Sequence, residues 1–393
     1  MKTVVHYRDR SYLSLTETWI YEQIKNLRRY QPIVYTFRTE NLDIYPIEKI
    51  RSLGLKNGLI GLIDPSTIFN KAWYKISDFY LPFYFGLMKD KPQLIHAHFG
   101  PTAYSFLKLK KMFELPLITT FYGFDLSLLP SQHPEWKIKY KKLFKEGEKF
   151  LVEGNHMKKC LIELGCPEEK IIVQHLGIDL DKIKFRPRKL LSEDEEIRIL
   201  ISASFREKKG IPYAVEAFGR IEQNHPELKL NLTIIGDSGN SLGGGEEKKR
   251  IFNAIQKYNL KDCVNLLGYQ PYTRFLRELY RHHIFIHPSV HASNGDAEGG
   301  SPVSITEASA SGMPILSTTH CDIPEVVING KSGYLVPERD VDALQVELEN
   351  LVSNPVIWAK MGLYGRLHIE KYYDVKKQVE RLEEIYDKVS IEG

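Results

Sequence analysis

Two hydrophobic patterns alternate along the chain. Short uninterrupted apolar runs mark strands buried on both faces. Between them apolar residues return every three or four positions, as on one side of a helix. TVVHY (3–7) reads as the first strand. Ser14-Leu15-Thr16-Glu17 has capping-box spacing, and Trp19, Ile20, Ile24 and Leu27 follow at helical intervals. PIVYTF (32–37) is the next strand, and LIHAHF (94–99), LPLITTFYG (115–123), KFLVEG (149–154) and KIIVQHLGID (170–179) continue the series.

Residues 183–197, IKFRPRKLLSEDEEI, are charged, contain a proline and read as a linker. A second series follows: IRILISASF (197–205), LKLNLTIIGD (228–237), CVNLLGY (263–269), HIFIHPS (283–289) and MPILSTT (313–319). GIPYAVEAFGRI (210–221) is a helix between two of them. SGNSLGGGEEKKR (238–250) is either a glycine-rich loop over the strand ends or a plain connection. Alternating strands and helices predict parallel sheets with helices on both faces. Two such series give an α/β chain of two Rossmann-like domains facing across a cleft, with ligands expected outside the carboxyl ends of the strands.

The junction GDAEGGSPVSITEASASGMP (295–314) carries chemistry. A helix is expected from about Val303, with Pro302 in its first turn, where a missing N–H costs little. Gly299, Gly300 and Ser301 then precede a helix N-terminus, whose outward amides and positive dipole end suit a phosphate or diphosphate. Without a Cβ the glycines let an anion approach the backbone. Glu307, inside the helix, can accept from two vicinal hydroxyls such as ribose offers, and Glu298 can face a sugar. The plain alternative is two glutamates that merely solvate a loop and a helix.

Composition narrows the classes. The 393 residues exceed one ordinary core, and 42% hydrophobic with 26% charged residues is the balance of a globular protein. No run approaches the roughly 20 apolar residues of a membrane span, and MKTVVHYRDRSYLS is not a signal peptide, so a cytoplasmic protein is expected. The cysteines, 160, 166, 263 and 321, lack zinc-ligand spacing and read as reduced thiols. Residues 1–185 hold 28 lysines and arginines against 20 acids, and the remainder 26 against 30. A basic first half suits anionic lipid or a phosphorylated substrate; nucleic acid is not expected, since no nucleic-acid module is present.

EGGSPVSITEASASGMP (298–314) resembles the glutamate-pair signature of the family 4 retaining glycosyltransferases, which have the GT-B fold, and is most similar to the bacterial exopolysaccharide and colanic-acid type. Eight residues separate Glu298 from Glu307, one more than the family's usual seven. LIHAHFGPTA (94–103), TTFYGFD (119–125), GCPEEKIIVQHLGID (165–179), FREKKGIPYAVEAF (205–218), IIGD (234–237, with Gly236), LLGY (266–269), HPS (287–289) and PEVVINGKSGYLVPERD (324–340) match further family motifs, in the family's order. The resemblance implies an acceptor-binding domain (1–185), a donor-binding domain (186–366) and a helix (367–393) that returns to the first. It implies transfer of a sugar from a nucleotide-sugar to a glycan or lipid-linked hydroxyl, without a metal or other cofactor. Gly236, Gly299, Gly300, Ser301, Pro302, Val303 and Glu307 would bind the donor. Glu298 and Lys209 would be catalytic. Arg206 would replace the family's arginine, whose aligned position is Ser204.

On the acceptor side Tyr122 stands where many relatives have histidine. An unperturbed tyrosine, with a pKa of about 10, is a poor general base. His98, with His96 beside it on the same strand face, is the remaining imidazole candidate. Asp125 either orients the acceptor or caps the following turn. The family's front-face scheme, in which the leaving phosphate takes the acceptor's proton, suits such a site. FNKAWYKISDFYLPFYF (69–85), with eight aromatics in 17 residues, and the basic KIKYKKLFKEGEKF (137–150) fit either ordinary packed helices or peripheral association with the inner membrane face. A degenerate GT-B protein that binds nucleotide-sugars without turnover is the rival reading. An NAD-dependent oxidoreductase is not supported, since no glycine follows the first strand.

Overall fold

The computed structural model describes residues 2–14, 17–56, 60, 64–190, 192, 195–239 and 244–392. Leu15 and Thr16 of the expected capping box, and 240–243 of the glycine-rich loop, lie outside the described residues. The chain forms two compact units, Met1–Gly177 with Val375–Gly393, and Ile178–Asp374.

The first unit holds a seven-stranded parallel sheet: β1 (Lys2–Ser11), β2 (Tyr30–Arg38), β3 (Ile50–Ser52), β4 (Leu94–His98), β5 (Leu117–Thr120), β6 (Lys149–Val152) and β7 (Ile171–Val173), in the order 3-2-1-4-5-6-7. The second holds six: β8 (Ile197–Ser202), β9 (Leu230–Ile235), β10 (Val264–Gly268), β11 (Ile284–His287), β12 (Ile315–Thr318) and β13 (Gly333–Val336), in the order 10-9-8-11-12-13. Both are doubly wound Rossmann-like sheets. The strand order reverses beside β1 in one and beside β8 in the other, and such switch points are where open parallel sheets bind ligands.

Strand alternation divides each sheet's side chains between two cores. In the first unit Val5 and Tyr7 pack with Phe83 and Phe106 on one face. Val4 lies on the other, where the helix Val375–Glu392 lays Leu382, Ile385, Tyr386 and Val389 against Val4, Leu94, Ile118 and Leu151. Burying each such side chain contributes about 1.5–3 kcal/mol. Glu383 of this helix accepts the backbone N–H of Arg28 (2.8 Å) and of Tyr30 (3.3 Å), and Asp387 accepts the Tyr30 hydroxyl (2.9 Å).

The structure moves three expected boundaries. The returning helix begins at Val375, not near 367; the preceding helix, Trp358–Tyr372, belongs to the second unit. The break between them is fixed by the Ile178 N–H donating to the Tyr373 carbonyl (2.8 Å). The described part of 183–197 is not a free linker. Buried Arg188 donates to the carbonyls of Leu279 (2.6 Å), His282 (2.9 Å) and Ser311 (3.0 Å), so this stretch is packed into the second unit. The first helix is Thr18–Lys25, with Glu17 at its cap position. Glu17 does reach back to the Ser14 N–H (2.9 Å), but Ser14 is not the N-cap.

Candidate functional site

The chemistry expected of the second unit gathers at the carboxyl ends of β8 and β11. The segment after β8 makes a single turn, Glu207–Lys209, before the helix Ile211–Asn224. Gly210 joins them at φ 61°, and a Cβ there would lie 1.9 Å from the Pro288 carbonyl oxygen. Only glycine lets this turn close against the segment after β11. The Val290 N–H donates to the Lys208 carbonyl (2.9 Å) at the same contact.

Three cations of the segment after β8 meet two carboxylates of the loop that follows β11. Lys209 Nζ lies 2.8 Å from Glu298 Oε1. Lys208 Nζ donates to the Ala297 carbonyl (2.8 Å) and lies 3.3 Å from Asp296 and 3.5 Å from Glu298. Arg206 pairs with Asp296. Ser289 Oγ also donates to Glu298 (3.0 Å), so the adjacent His287 Nδ1, 2.9 Å from that hydroxyl, must carry a proton. Burial alone would push the Glu298 carboxyl up; Lys209 and Lys208 overcome it and hold the group ionised, well below the ordinary carboxylate range.

The loop leads into the helix Val303–Ser311, whose N-cap is Pro302 and which has no side-chain cap. Pro302 therefore stands just before the first turn, not within it. Glu307 is buried in this helix and accepts the Tyr272 hydroxyl (2.7 Å). Ser301 Oγ is buried with no hydrogen-bond partner among the described residues. Gly236, at the end of β9, sits against the Ala203 carbonyl, 1.9 Å from where a Cβ would stand; this close approach accounts for the glycine.

The expected acceptor-side residues form a separate cluster in the first unit. Strand register sets His6 opposite His96 and His98 opposite Thr120. His98 Nε2 lies 3.0 Å from His6 Nδ1, and its Nδ1 lies 2.7 Å from the Tyr122 hydroxyl. His96 is held between Tyr386 (2.6 Å) and Thr120 (2.7 Å). Burial drives His98 well below the usual histidine range. In this structure both His98 nitrogens are engaged within the first unit, by His6 and by Tyr122. Asp125, fully buried, accepts the N–H of Gly100 (2.8 Å) and of Tyr122 (2.9 Å). It ties the start of the helix Gly100–Met112 to the turn at Tyr122.

A family model described as "Glycosyltransferase Family 4" matches residues 16–182, and one described as "Glycosyl transferases group 1" matches residues 182–368. The amylovoran biosynthesis glycosyltransferase AmsK of Erwinia amylovora is 31% identical over 299 residues, 76% of this chain and 70% of that protein. The chain belongs to this glycosyltransferase family.

The putative colanic acid biosynthesis glycosyltransferase WcaL of Escherichia coli is 34% identical over 257 residues, 64% of this chain and 59% of that protein. The alignment thus spans less than two thirds of the E. coli relative. Sucrose-phosphate synthase from Thermosynechococcus elongatus superposes with a TM-score of 0.79 over the full length of both chains at 17% identity. HepE of Anabaena, solved in complex with UDP and glucose, gives 0.75 at 15% identity over 98% of this chain and 100% of that one. These two establish the GT-B fold.

Within this family member the structure adds residues that the motifs did not single out. Lys208 and Asp296 were visible only as neighbours of Lys209 and Glu298. His320 and Glu338, whose Nδ1 and Oε1 are 2.7 Å apart, lie beside the loop, because the Glu298 N–H donates to His320 Nε2 (3.1 Å). Glu338 falls inside a matched motif but carries no signal of its own, and His320 none.

Proposed function

We propose that the chain transfers a sugar from a nucleotide-sugar to a hydroxyl of a glycan or lipid-linked acceptor, with retention and without a metal. One observation carries this reading: Arg206, Lys208 and Lys209 converge with Asp296 and Glu298 beside the uncapped helix Val303–Ser311 at a sheet switch point. Cations and helix amides fixed there stabilise a departing diphosphate more than they stabilise the bound donor. The UDP held by the structural relative HepE supports a nucleoside diphosphate as the ligand. Ser301 and Val303 would face the diphosphate with Gly299 and Gly300, and Glu307 the ribose.

The acceptor oxygen bonds to the sugar's anomeric carbon on the face from which the phosphate leaves. The bond from that carbon to the phosphate oxygen breaks, and the acceptor's proton passes to the departing phosphate. This route needs no imidazole base, in keeping with His98 being sealed inside its own hydrogen bonds.

The acceptor side includes a lipid surface in this reading. Ile68, Phe69 and Ile76 on the helix Pro65–Ser77, and Phe85 and Met88 on the helix Leu81–Asp90, are exposed among Lys71, Lys75 and Lys89. Apolar anchors interleaved with lysines suit an anionic headgroup layer. No described helix is long and apolar enough to cross a membrane.

The test is turnover with a panel of UDP-, GDP- and ADP-sugars. Release of nucleoside diphosphate with transfer or hydrolysis is expected from one of them, and Lys209→Ala should lower it by about 10²–10³. Binding without any turnover would favour the degenerate protein instead. Flotation with anionic vesicles, reversed by salt, tests the lipid surface.

A further inference from the structure

Four neighbouring strands, β8, β11, β12 and β13, carry one connected polar row past their carboxyl ends. Lys209 follows β8 and Glu298 follows β11. His320 follows β12 and Glu338 follows β13. Lys209 holds the Glu298 carboxylate, the Glu298 amide donates to His320 Nε2 (3.1 Å), and His320 Nδ1 lies 2.7 Å from Glu338 Oε1.

The hydrogen bonds fix the tautomer of His320. Its Nε2 faces two donors, the Glu298 N–H and the Cys321 thiol (3.1 Å), so Nε2 must be the bare nitrogen. Its Nδ1 faces a carboxylate oxygen and therefore carries the hydrogen. Glu338 is in turn held by the backbone N–H of His291 (2.7 Å) and by His291 Nδ1 (2.8 Å). His320 is fully buried, and burial outweighs the pull of Glu338 and Glu298 to keep it below the ordinary histidine range, hence neutral.

We propose that His320 is a positioning residue for Glu298. Its Nε2 lone pair holds the Glu298 amide, and Glu338 presents that lone pair by fixing the tautomer. The loop residue just before Gly299 and Gly300 has its carboxylate tied to Lys209 and its backbone tied to His320. Both ends of the residue are then set before a sugar arrives. This rests on the glycosyltransferase reading, in which Glu298 faces the sugar.

Two near-isosteric substitutions separate the halves of the row. In His320→Gln the side-chain terminus reaches the place of Nε2, and its oxygen can accept from the Glu298 amide. In His320→Asn the terminus reaches only the place of Nδ1 and can serve Glu338 alone. The expected result is a kcat near wild type for His320→Gln and a fall of about tenfold to a hundredfold for His320→Asn and His320→Ala. Affinity for the free nucleoside diphosphate should change little in all three, which also shows that each variant is folded. The reverse order, with His320→Asn active and His320→Gln impaired, would overturn the proposal, as would a wild-type kcat in His320→Ala.

Hydrogen exchange at the Glu298 amide gives a readout that needs no substrate. In the ligand-free chain it should stay slow in wild type and His320→Gln and become fast in His320→Asn. A chain that turns over no nucleotide-sugar counts against the functional reading, and the exchange comparison then decides the hydrogen bond by itself. Equal exchange in both variants would overturn it.

Discussion

Lys209 and Glu298 stand 89 residues apart in the chain and meet as a part-buried ion pair. Lys208, 3.5 Å from Glu298, and the Ser289 hydroxyl remain when Lys209 is removed, so the loss stays below about 3–5 kcal/mol, the cost of a fully stranded buried charge. Lys209→Met should lower unfolding free energy in urea by less than that. The double variant Lys209→Met with Glu298→Gln should recover much of the loss, since it leaves no buried charge at the pair. The pH dependence follows from the depressed carboxyl of Glu298. Its contribution is present above the unfolded carboxyl value, about 4.3, and is lost as pH falls. In Glu298→Gln that part of the acid loss should disappear.

Asp125 has the opposite sign. Burial pushes its carboxyl up to about 6, against the backbone N–H bonds that pull it down. The folded state then binds more protons than the unfolded state between about pH 4 and 6, so this group makes stability fall as pH rises through that window. Asp125→Ala should flatten the window. It should also cost about 1–3 kcal/mol for each of the two amides, Gly100 and Tyr122, left without an acceptor. Urea unfolding at pH 4.5 and pH 7 measures both effects.

Gly210→Ala should do more than remove glycine flexibility. The left-handed backbone would cost about 1 kcal/mol for a non-glycine residue, and the added methyl would also collide with the Pro288 carbonyl. The turn that carries Lys208 and Lys209 must then move. A lowered Tm together with weaker nucleoside diphosphate binding is expected; unchanged binding would show that the turn tolerates the shift.

Tyr122→Phe removes one hydrogen bond from buried His98 and should cost about 0.5–1.5 kcal/mol, plus the penalty of the nitrogen left unpaired. If this cluster is a support and not a base, kcat should stay within about twofold of wild type once the protein is folded. A large loss of kcat at unchanged stability would return Tyr122 and His98 to the chemistry.

Most of the scaffold was legible because buried parallel strands are written as continuous apolar runs. VVHY, LIHAH, ILIS and IFIH each name a strand by themselves. β3 escaped, since Ile50-Arg51-Ser52 has a single apolar residue and owes its place to pairing with β2. The unit boundary was misplaced because charge and a proline in 183–197 look like a linker, while the hydrogen bonds that pack Arg188 come from residues about 90 or more positions away. Lys209 and Glu298 could be found from local motif spacing. The pairing of Arg206 and Lys208 with Asp296, and of His320 with Glu338, could not, because each joins segments from different strand ends. The contacts of His98 were hidden for the same reason: a histidine in a motif says nothing of whether its nitrogens meet His6 and Tyr122.

The helix Val375–Glu392 closes an apolar face whose other members, Val4, Leu94, Ile118 and Leu151, are synthesised long before it. All of residues 178–374 must leave the ribosome in between. During translation the first sheet therefore waits with one side bare while the second unit, continuous in sequence, can already fold. The half that begins first is finished last, and its last layer is supplied only by the end of the chain.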